Sequence, residues 1–261
     1  METNAVLITE LQDGVLSLTL NRPKVNAFNF ELIEAAQAAI KQAERDPQVR
    51  CVLLTGSGGI FSAGQDVSEF RKAENVSFRH HLQRTYNPLV LSIRRLEKPV
   101  LAAINGAASG AALGLALACD LRIAADTARF VVGFLGIGLA PDSAVSLFLP
   151  ALIGLGRAAE FAFTNAPINA QQALSWGLVN RVVPAGELPE KAAEWARQLA
   201  QGPVRAMGLA KRDFNRAVLG SLEGVLDYEA HIQEIAGQGY EHKEGVSAFL
   251  EKRPPQFNVE G

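Results

Sequence analysis

The feature that most constrains this chain is a run of 21 uncharged residues, 99–119, reading PVLAAINGAASGAALGLALAC. Its length would suit a membrane helix. Its content does not: it opens on Pro99, holds Asn105-Gly106 and Ser109, and is built from Ala and Gly rather than Leu and Phe. A buried strand, a tight turn and a buried small-residue helix account for it better. A chain that buries such a run needs a large apolar interior. With 261 residues, 48% hydrophobic and 20% charged, this one can supply it without metal or disulfide help.

Around that run the pattern alternates strands and helices. Residues 6–20 read as a hairpin, with Leu16, Leu18 and Leu20 alternating with Ser17 and Thr19 and a turn at Asp13-Gly14. A helix is expected over 30–45 and strands over 51–55, 100–104, 121–124, 130–132 and 178–183. Asp66 and Glu69 have the form of a capping box opening a helical region that reaches Leu96, with an interruption near Asn87-Pro88. Residues 110–118 form the small-residue helix, and a further helix is expected to start at Asp142. The last quarter reads as helices over 187–201, 203–219, 222–236 and 241–252. The fold class is therefore α/β, with a core over 1–200 and a helical C-terminal region over 201–261, the boundary marked by Gln201-Gly202-Pro203.

Composition excludes several functions. The net charge of −2 does not suit a general nucleic-acid or membrane binder. Cys51 and Cys119 sit in apolar stretches, as buried thiols in a reducing, cytoplasmic compartment do, and no secretory signal is visible. His80, His81, His231 and His242 have no standard metal spacing, so no metal site is expected. GLGRAA at 154–159 follows a helical pattern rather than a strand and is a poor dinucleotide fingerprint. Ser62 and Ser109 lack a visible His/Asp partnership, and Asp120 reads as structural.

Three stretches could carry chemistry. FSAGQD (61–66) ends a glycine-bearing loop at a capped helix, where free N–H groups can bind a negative oxygen; on the residues alone a plain loop with a cap is the preferred reading. INGAASGAALGLALACD (104–120) offers a helix N-terminus at Gly110-Ala111 in a setting stripped of side chains; equally this is tight packing. GIGLAPDSAVSLFLP (136–150) contains Asp142, the only ionisable side chain between Arg129 and Arg157. A carboxylate so placed is expected to have a raised pKa, or to be the N-cap of the next helix.

FSAGQD followed by INGAASGAALGLALACD resembles the fingerprint of the enoyl-CoA hydratase/isomerase (crotonase) family, and the resemblance extends to NRPKVNAFN (21–29) and WGLVNRVVP (176–184). It implies a crotonase-like ββα superhelix core with a helical C-terminal oligomerisation region, and a homotrimer or a dimer of trimers. It implies an acyl-CoA substrate, no separate cofactor, and an oxyanion hole made by the backbone N–H groups of Gln65 and Ala111. CoA contacts carried over in the same way fall on Arg22, Lys24, Ala63, Asp66, Val67, Gly110 and Phe134, with Phe249 and Lys252 reaching CoA from a neighbouring subunit. The two glutamates that the family's hydratases use fall here on Gly114 and Phe134, neither of which can move a proton. The segment around Asp142 and the C-terminal GVSAFLEKRPPQF are similar to the ring-1,2-epoxyphenylacetyl-CoA isomerases, in which this aspartate is catalytic. The resemblance thus implies an isomerase with Asp142 as acid and base. The alternatives are a hydratase working through Asp142, an aryl-CoA dehalogenase, disfavoured by Asn87 and Phe134, and a non-catalytic CoA-binding or RNA-binding protein.

Overall fold

The computed structural model describes residues 5–72 and 77–258. In chain order the elements are β1 (Leu7–Gln12), β2 (Val15–Leu20), α1 (Phe30–Arg45), β3 (Cys51–Gly56), α2 (Val67–Lys72), α3 (Phe78–Arg84), α4 (Tyr86–Arg95), β4 (Val100–Ile104), β5 (Ala107–Ser109), α5 (Ala111–Ala118), β6 (Leu121–Ala125) and β7 (Arg129–Val131). A 3-10 turn over Leu135–Ile137 leads to α6 (Val145–Ile153), α7 (Leu155–Thr164), β8 (Ile168–Asn169), α8 (Ala170–Trp176) and β9 (Arg181–Val183). A second 3-10 turn, Ala185–Glu187, precedes α9 (Leu188–Gln201), α10 (Val204–Val218), α11 (Leu222–Gly237) and α12 (Tyr240–Glu251). No helix among the described residues is long and apolar enough to cross a membrane.

One sheet has the order β1-β2-β3-β4-β6-β9, with β1 and β2 antiparallel and the other pairs parallel; a smaller one runs β5-β7-β8. The hairpin turn places Asp13 and Gly14 both at positive φ (51° and 78°), the geometry a two-residue turn between twisted strands requires. Successive residues of a strand face opposite sides. Val52, Leu54, Ala102, Ile104 and Ala124 therefore join the main core, which reaches α1, α4, α5 and α11, while Cys51, Leu53, Leu101, Ala103 and Ile123 pack beneath Ala192, Trp195 and Ala196 of α9. Both cysteines are buried free thiols, pushed up to about 12 chiefly by burial.

Several boundaries differ from expectation. The break in the helical region falls at Thr85, not at Asn87-Pro88; Pro88 is the third residue of α4, where a helix needs no N–H from it. Asp66 accepts from Ser68 N, but its own amide donates to Phe28 O, so the reciprocal half of a capping box is used elsewhere. The helix expected from Asp142 begins only at Val145, because Ser143 and Ala144 are in the left-handed region (φ 56° and 62°). α7, α8 and the two-residue β8 were not expected from the pattern.

Asp120 ties the end of α5 to the sheet. One oxygen accepts from Val100 N at 2.9 Å and from Lys211 Nζ at 2.8 Å; the other meets Arg94 at 3.0 Å. Lys211, buried on α10, also donates to Ile93 O. Removing this carboxylate would strand a buried ammonium. Asp120→Ala is expected to lose about 3–5 kcal/mol of unfolding free energy, the usual cost of breaking a buried ion pair from one side, read from urea denaturation midpoints.

Candidate active site

The site begins with a main-chain register. The loop after β2 lies beside the loop after β3, with Phe28 N donating to Gly64 O (2.7 Å) and Asp66 N to Phe28 O (2.9 Å). That second loop lies beside β5, with Ser62 N donating to Ala107 O (3.0 Å) and Ser109 N to Ser62 O (3.2 Å). Asn26, buried at φ 49°, pins the arrangement by donating to Ser57 O and Ile60 O and accepting Ser62 Oγ–H at its own carbonyl. Ala63 N donates to Val25 O and Gly64 N to Ser62 Oγ. In the stretch 62–66, the amide of Gln65 is the one that donates to no described acceptor.

Gly64 brings the second amide close. It sits at φ +86°, and a Cβ there would lie 2.5 Å from Ser109 O and 3.4 Å from Ala111 N. Gly110, at φ +57°, turns the chain from β5 into α5 while its N–H goes to Val131 O. Ala111 then stands at the first helical position, where its N–H has no intrahelical partner. Two main-chain donors, from Gln65 and Ala111, thus open beside each other at the positive end of a helix. Neither depends on the identity of its own side chain.

A cavity of about 420 Å³ lies over them, and Asp142 lines it together with both residues. Ala63, Asp66, Val67, Gly110 and Phe134 line it too, as does Phe249, which reaches the cavity of its own chain. Arg22, Lys24 and Lys252 do not line it. Arg22 instead pairs with Asp66 at 2.8 Å and donates to Ala27 O; Lys24 and Lys252 are exposed. Burial would raise the Asp66 carboxyl, but bonds from Ser68 and Arg22 outweigh it and hold it below its ordinary value.

Asp142 is placed by what α5 lacks. A Cβ on Gly114 would lie 2.7 Å from Ser143 Cβ and 2.8 Å from Ser143 O. The turn carrying Asp142 therefore occupies the space a side chain at 114 would need, one helical turn beyond Ala111. α11 holds this turn from the other side. Glu229 accepts from Ala144 N (2.8 Å) and Ser146 N (3.1 Å), capping α6 in place of Asp142. Four residues on, Gln233 Nε2 donates to Asp142 Oδ2 at 2.7 Å, and Ser143 Oγ donates to Oδ1 at 2.7 Å. Burial raises Asp142 to about 6 against these two bonds. Glu229 is raised to about 7, again chiefly by burial.

Sequence reasoning missed Glu229, Gln233, His81 and Tyr86. Tyr86 Oη donates to Gln65 Oε1 (2.7 Å) and His81 Nε2 lies 3.2 Å from the same oxygen, fixing the Gln65 side chain at the cavity wall. Burial holds His81 near 4, so its ring is neutral at physiological pH. A signal existed for the α11 pair: on the buried stripe of Leu222, Leu226, Glu229 and Gln233, two polar residues stand where the helical spacing calls for apolar ones. Nothing in the local sequence marked His81 or Tyr86.

Paired backbone donors share a mostly apolar cleft with a buried carboxylate, an arrangement able to stabilise negative charge on an oxygen and to move a proton. A sequence model described as enoyl-CoA hydratase/isomerase matches residues 10–260, and the chain belongs to that family, with the crotonase fold. The chain is 41% identical over 256 residues to the 1,2-epoxyphenylacetyl-CoA isomerase of Escherichia coli (strain K12), covering 96% of this chain and 97% of that one. It is 36% identical to 4-chlorobenzoyl coenzyme A dehalogenase-2 of an Arthrobacter species, covering 93% and 90%. The crystal structure of an enoyl-CoA hydratase from Mycobacterium avium subsp. paratuberculosis superimposes with a TM-score of 0.89 at 34% identity, over 98% of this chain and 99% of that one.

Two outcomes are expected from this geometry. Asp142 binds its proton more tightly folded than unfolded, so ionising it weakens the native state as pH rises from about 4 through about 6. The neutral isostere Asp142→Asn should therefore gain stability relative to the parent over that range, by about 3 kcal/mol once the carboxylate is fully charged, measured by urea denaturation at pH 4, 5, 6 and 8. Gly114→Ala forces a methyl into the Asp142 turn and is expected to cost about 1–3 kcal/mol, with a larger fall in turnover than in substrate binding.

Proposed function

We propose that this enzyme isomerises an acyl-CoA thioester, with Asp142 as the single acid and base. The observation that carries this reading is a buried carboxylate, held near 6, sharing a cavity with the free amides of Gln65 and Ala111. The carboxylate removes a proton from a carbon of the acyl chain. The C–H electron pair moves toward the thioester, whose oxygen gains charge against the two N–H groups. The same carboxyl then returns the proton at another carbon. Loss of one preorganised donor of this kind typically costs about 2.7–4 kcal/mol of barrier.

Hydration suits the site less well. It calls for one group to activate water and another to deliver a proton, and Gly114 and Phe134 stand where the family's hydratases carry carboxylates. The second buried acid near Asp142, Glu229, is engaged in capping α6 and does not line the cavity. A double-bond shift from 3-enoyl-CoA to 2-enoyl-CoA and an epoxide-to-oxepin rearrangement both use the parts present. The similarity to the Escherichia coli isomerase favours the second substrate. No separate cofactor enters either scheme, since CoA arrives as part of the substrate. Exposed Lys24 and Lys252 are cations for its phosphates, Arg22 joining them only by leaving Asp66, and a homotrimer or dimer of trimers in the cytoplasm completes the proposal.

Purified protein supplied with a 3-enoyl-CoA, a 2-enoyl-CoA and the ring epoxide separates the reactions by product mass and absorbance. The expected product has the substrate's mass with a moved double bond or an expanded ring; addition of water would overturn the reading. Asp142→Asn should lower kcat by about 10²–10⁴-fold, the contribution of a positioned acid–base group, while CoA-ester binding persists. With the parent enzyme, kcat/KM is expected to fall as pH drops below about 6, where Asp142 becomes protonated.

A further inference from the structure

Helix α11 of the C-terminal region contributes a buried amide whose use by the fold is half complete. Gln233 is fully buried and gives its Nε2 to Asp142 Oδ2, while its Oε1 has no partner among the described residues. A buried polar atom left unpaired asks for an explanation in a native protein. Packing does not supply one, since an apolar side chain of similar length would fill the same space without an orphaned oxygen.

Asp142 itself supplies it. An ionised carboxyl only accepts hydrogen bonds, whereas a protonated one must also donate. A primary amide presents a donor on one side and an acceptor on the other. Its terminal torsion is broad and two-fold, so half a turn exchanges Nε2 for Oε1 without moving the helix. Glu229, one turn earlier on α11, keeps the backbone of 144–146 fixed while this happens. Ser143 Oγ attends the other carboxyl oxygen.

We propose that Gln233 is a positioning residue for the proton transfer, meeting Asp142 with its N–H when the carboxyl is ionised and with its carbonyl oxygen when the carboxyl carries the proton. This rests on the isomerase reading given above, in which Asp142 must exist in both states within one turnover. In the first half of the cycle the substrate's C–H breaks, its electron pair passes into the enolate, and the proton goes to Asp142. In the second half the O–H of Asp142 breaks, its electron pair stays on the carboxylate, and the proton forms a new C–H bond. Gln233 gains and loses nothing; it turns over twice. The helical C-terminal region thereby becomes part of the reaction apparatus and not only a cover for the core.

Among the described residues, the titratable groups that couple to this carboxyl or share its cavity are Glu229 on α11, Tyr86 on α4, His81 on α3 and Asp66 just before α2; α5 and α6 contribute none. Of these, Glu229 and Tyr86 are coupled to the charge of Asp142. All of them remain in a variant of Gln233 alone, so a change in titration there reports the amide.

Two variants test this. Gln233→Met keeps the volume and removes both halves of the amide. Its kcat is expected to fall by about 10–100-fold, as when a hydrogen bond to a charged group is lost, with KM little changed. The acid limb of its pH–rate profile should move to higher pH, because the carboxylate has lost a donor. Gln233→Glu retains a donor only while the new carboxyl is protonated, so its activity should be confined to the pH range in which that carboxyl is protonated and Asp142 ionised, and collapse on the alkaline side. Infrared difference spectra of ¹³C-aspartate-labelled protein follow the titration of Asp142 without turnover, and should show the same upward shift in Gln233→Met. A Gln233→Met enzyme with parental kcat, pH profile and carboxyl titration would overturn the inference. A parent enzyme that isomerises nothing would instead overturn the isomerase reading, and the infrared titration would still decide whether Gln233 answers to the charge on Asp142.

Discussion

The site depends on a close approach of two backbones. Gly64 lies so near Ser109 that any side chain would overlap its carbonyl oxygen. That contact is what sets the Gln65 amide beside the Ala111 amide. The surrounding ladder fixes it: Phe28 on one side, Ser62 and Ala108 on the other, with Asn26 holding the loops from behind. Since peptide groups supply both donors, the pair is indifferent to what Gln65 and Ala111 carry as side chains. A preorganised pair of this kind needs no rearrangement when negative charge develops.

The acid is the opposite kind of element, one that the fold tolerates at a cost. An ionised carboxyl among apolar neighbours is destabilising, and its raised pKa measures that. The protein does not bury it passively. Two consecutive left-handed residues, Ser143 and Ala144, follow it and project it out of the helix it would otherwise cap. Such residues persist only where neighbours over-determine them, and here Glu229 does so by taking the amides of Ala144 and Ser146. A second buried carboxylate is thus spent on holding the first in place. α11 is bound to the turn that carries Asp142 by that arrangement as well as by its share of the core.

Much of this was legible in the sequence, for identifiable reasons. The hairpin, α1, the uncharged strand–turn–helix and the C-terminal helices rest on periodicity and turn chemistry, which are local. FSAGQD and GAASGAALG stood out locally as loops without bulk at helix starts, but it was the family resemblance, not local pattern, that singled out the amides of Gln65 and Ala111 within them. Asp142 stood out as the one charge in a long apolar stretch. What failed was tertiary. The start of α6 was misplaced because the left-handed turn at 143–144 is imposed by Glu229, 85 residues away in the chain. The break at Thr85 could not be separated from the more conspicuous Pro88. His81 and Tyr86 reach the cavity only through the packing of α3 and α4, and the neighbouring His80-His81 pair gives no spacing to argue from.

Gly114 shows how one scaffold can host different chemistry. On α5, a side chain at 114 and the Asp142-Ser143 turn compete for the same volume. A carboxylate can therefore approach the cavity from the helix or from the turn, but this backbone does not accommodate both. The absence of a side chain at 114 is accordingly a condition for bringing Asp142 forward, and not merely the loss of an acid. Phe134 places a ring on the cavity wall. The free amides of Gln65 and Ala111 do not depend on either position because they belong to the main chain. Under the proposed function, the reaction type depends on which segment delivers the acid, while the main-chain donors for the thioester oxygen stay the same.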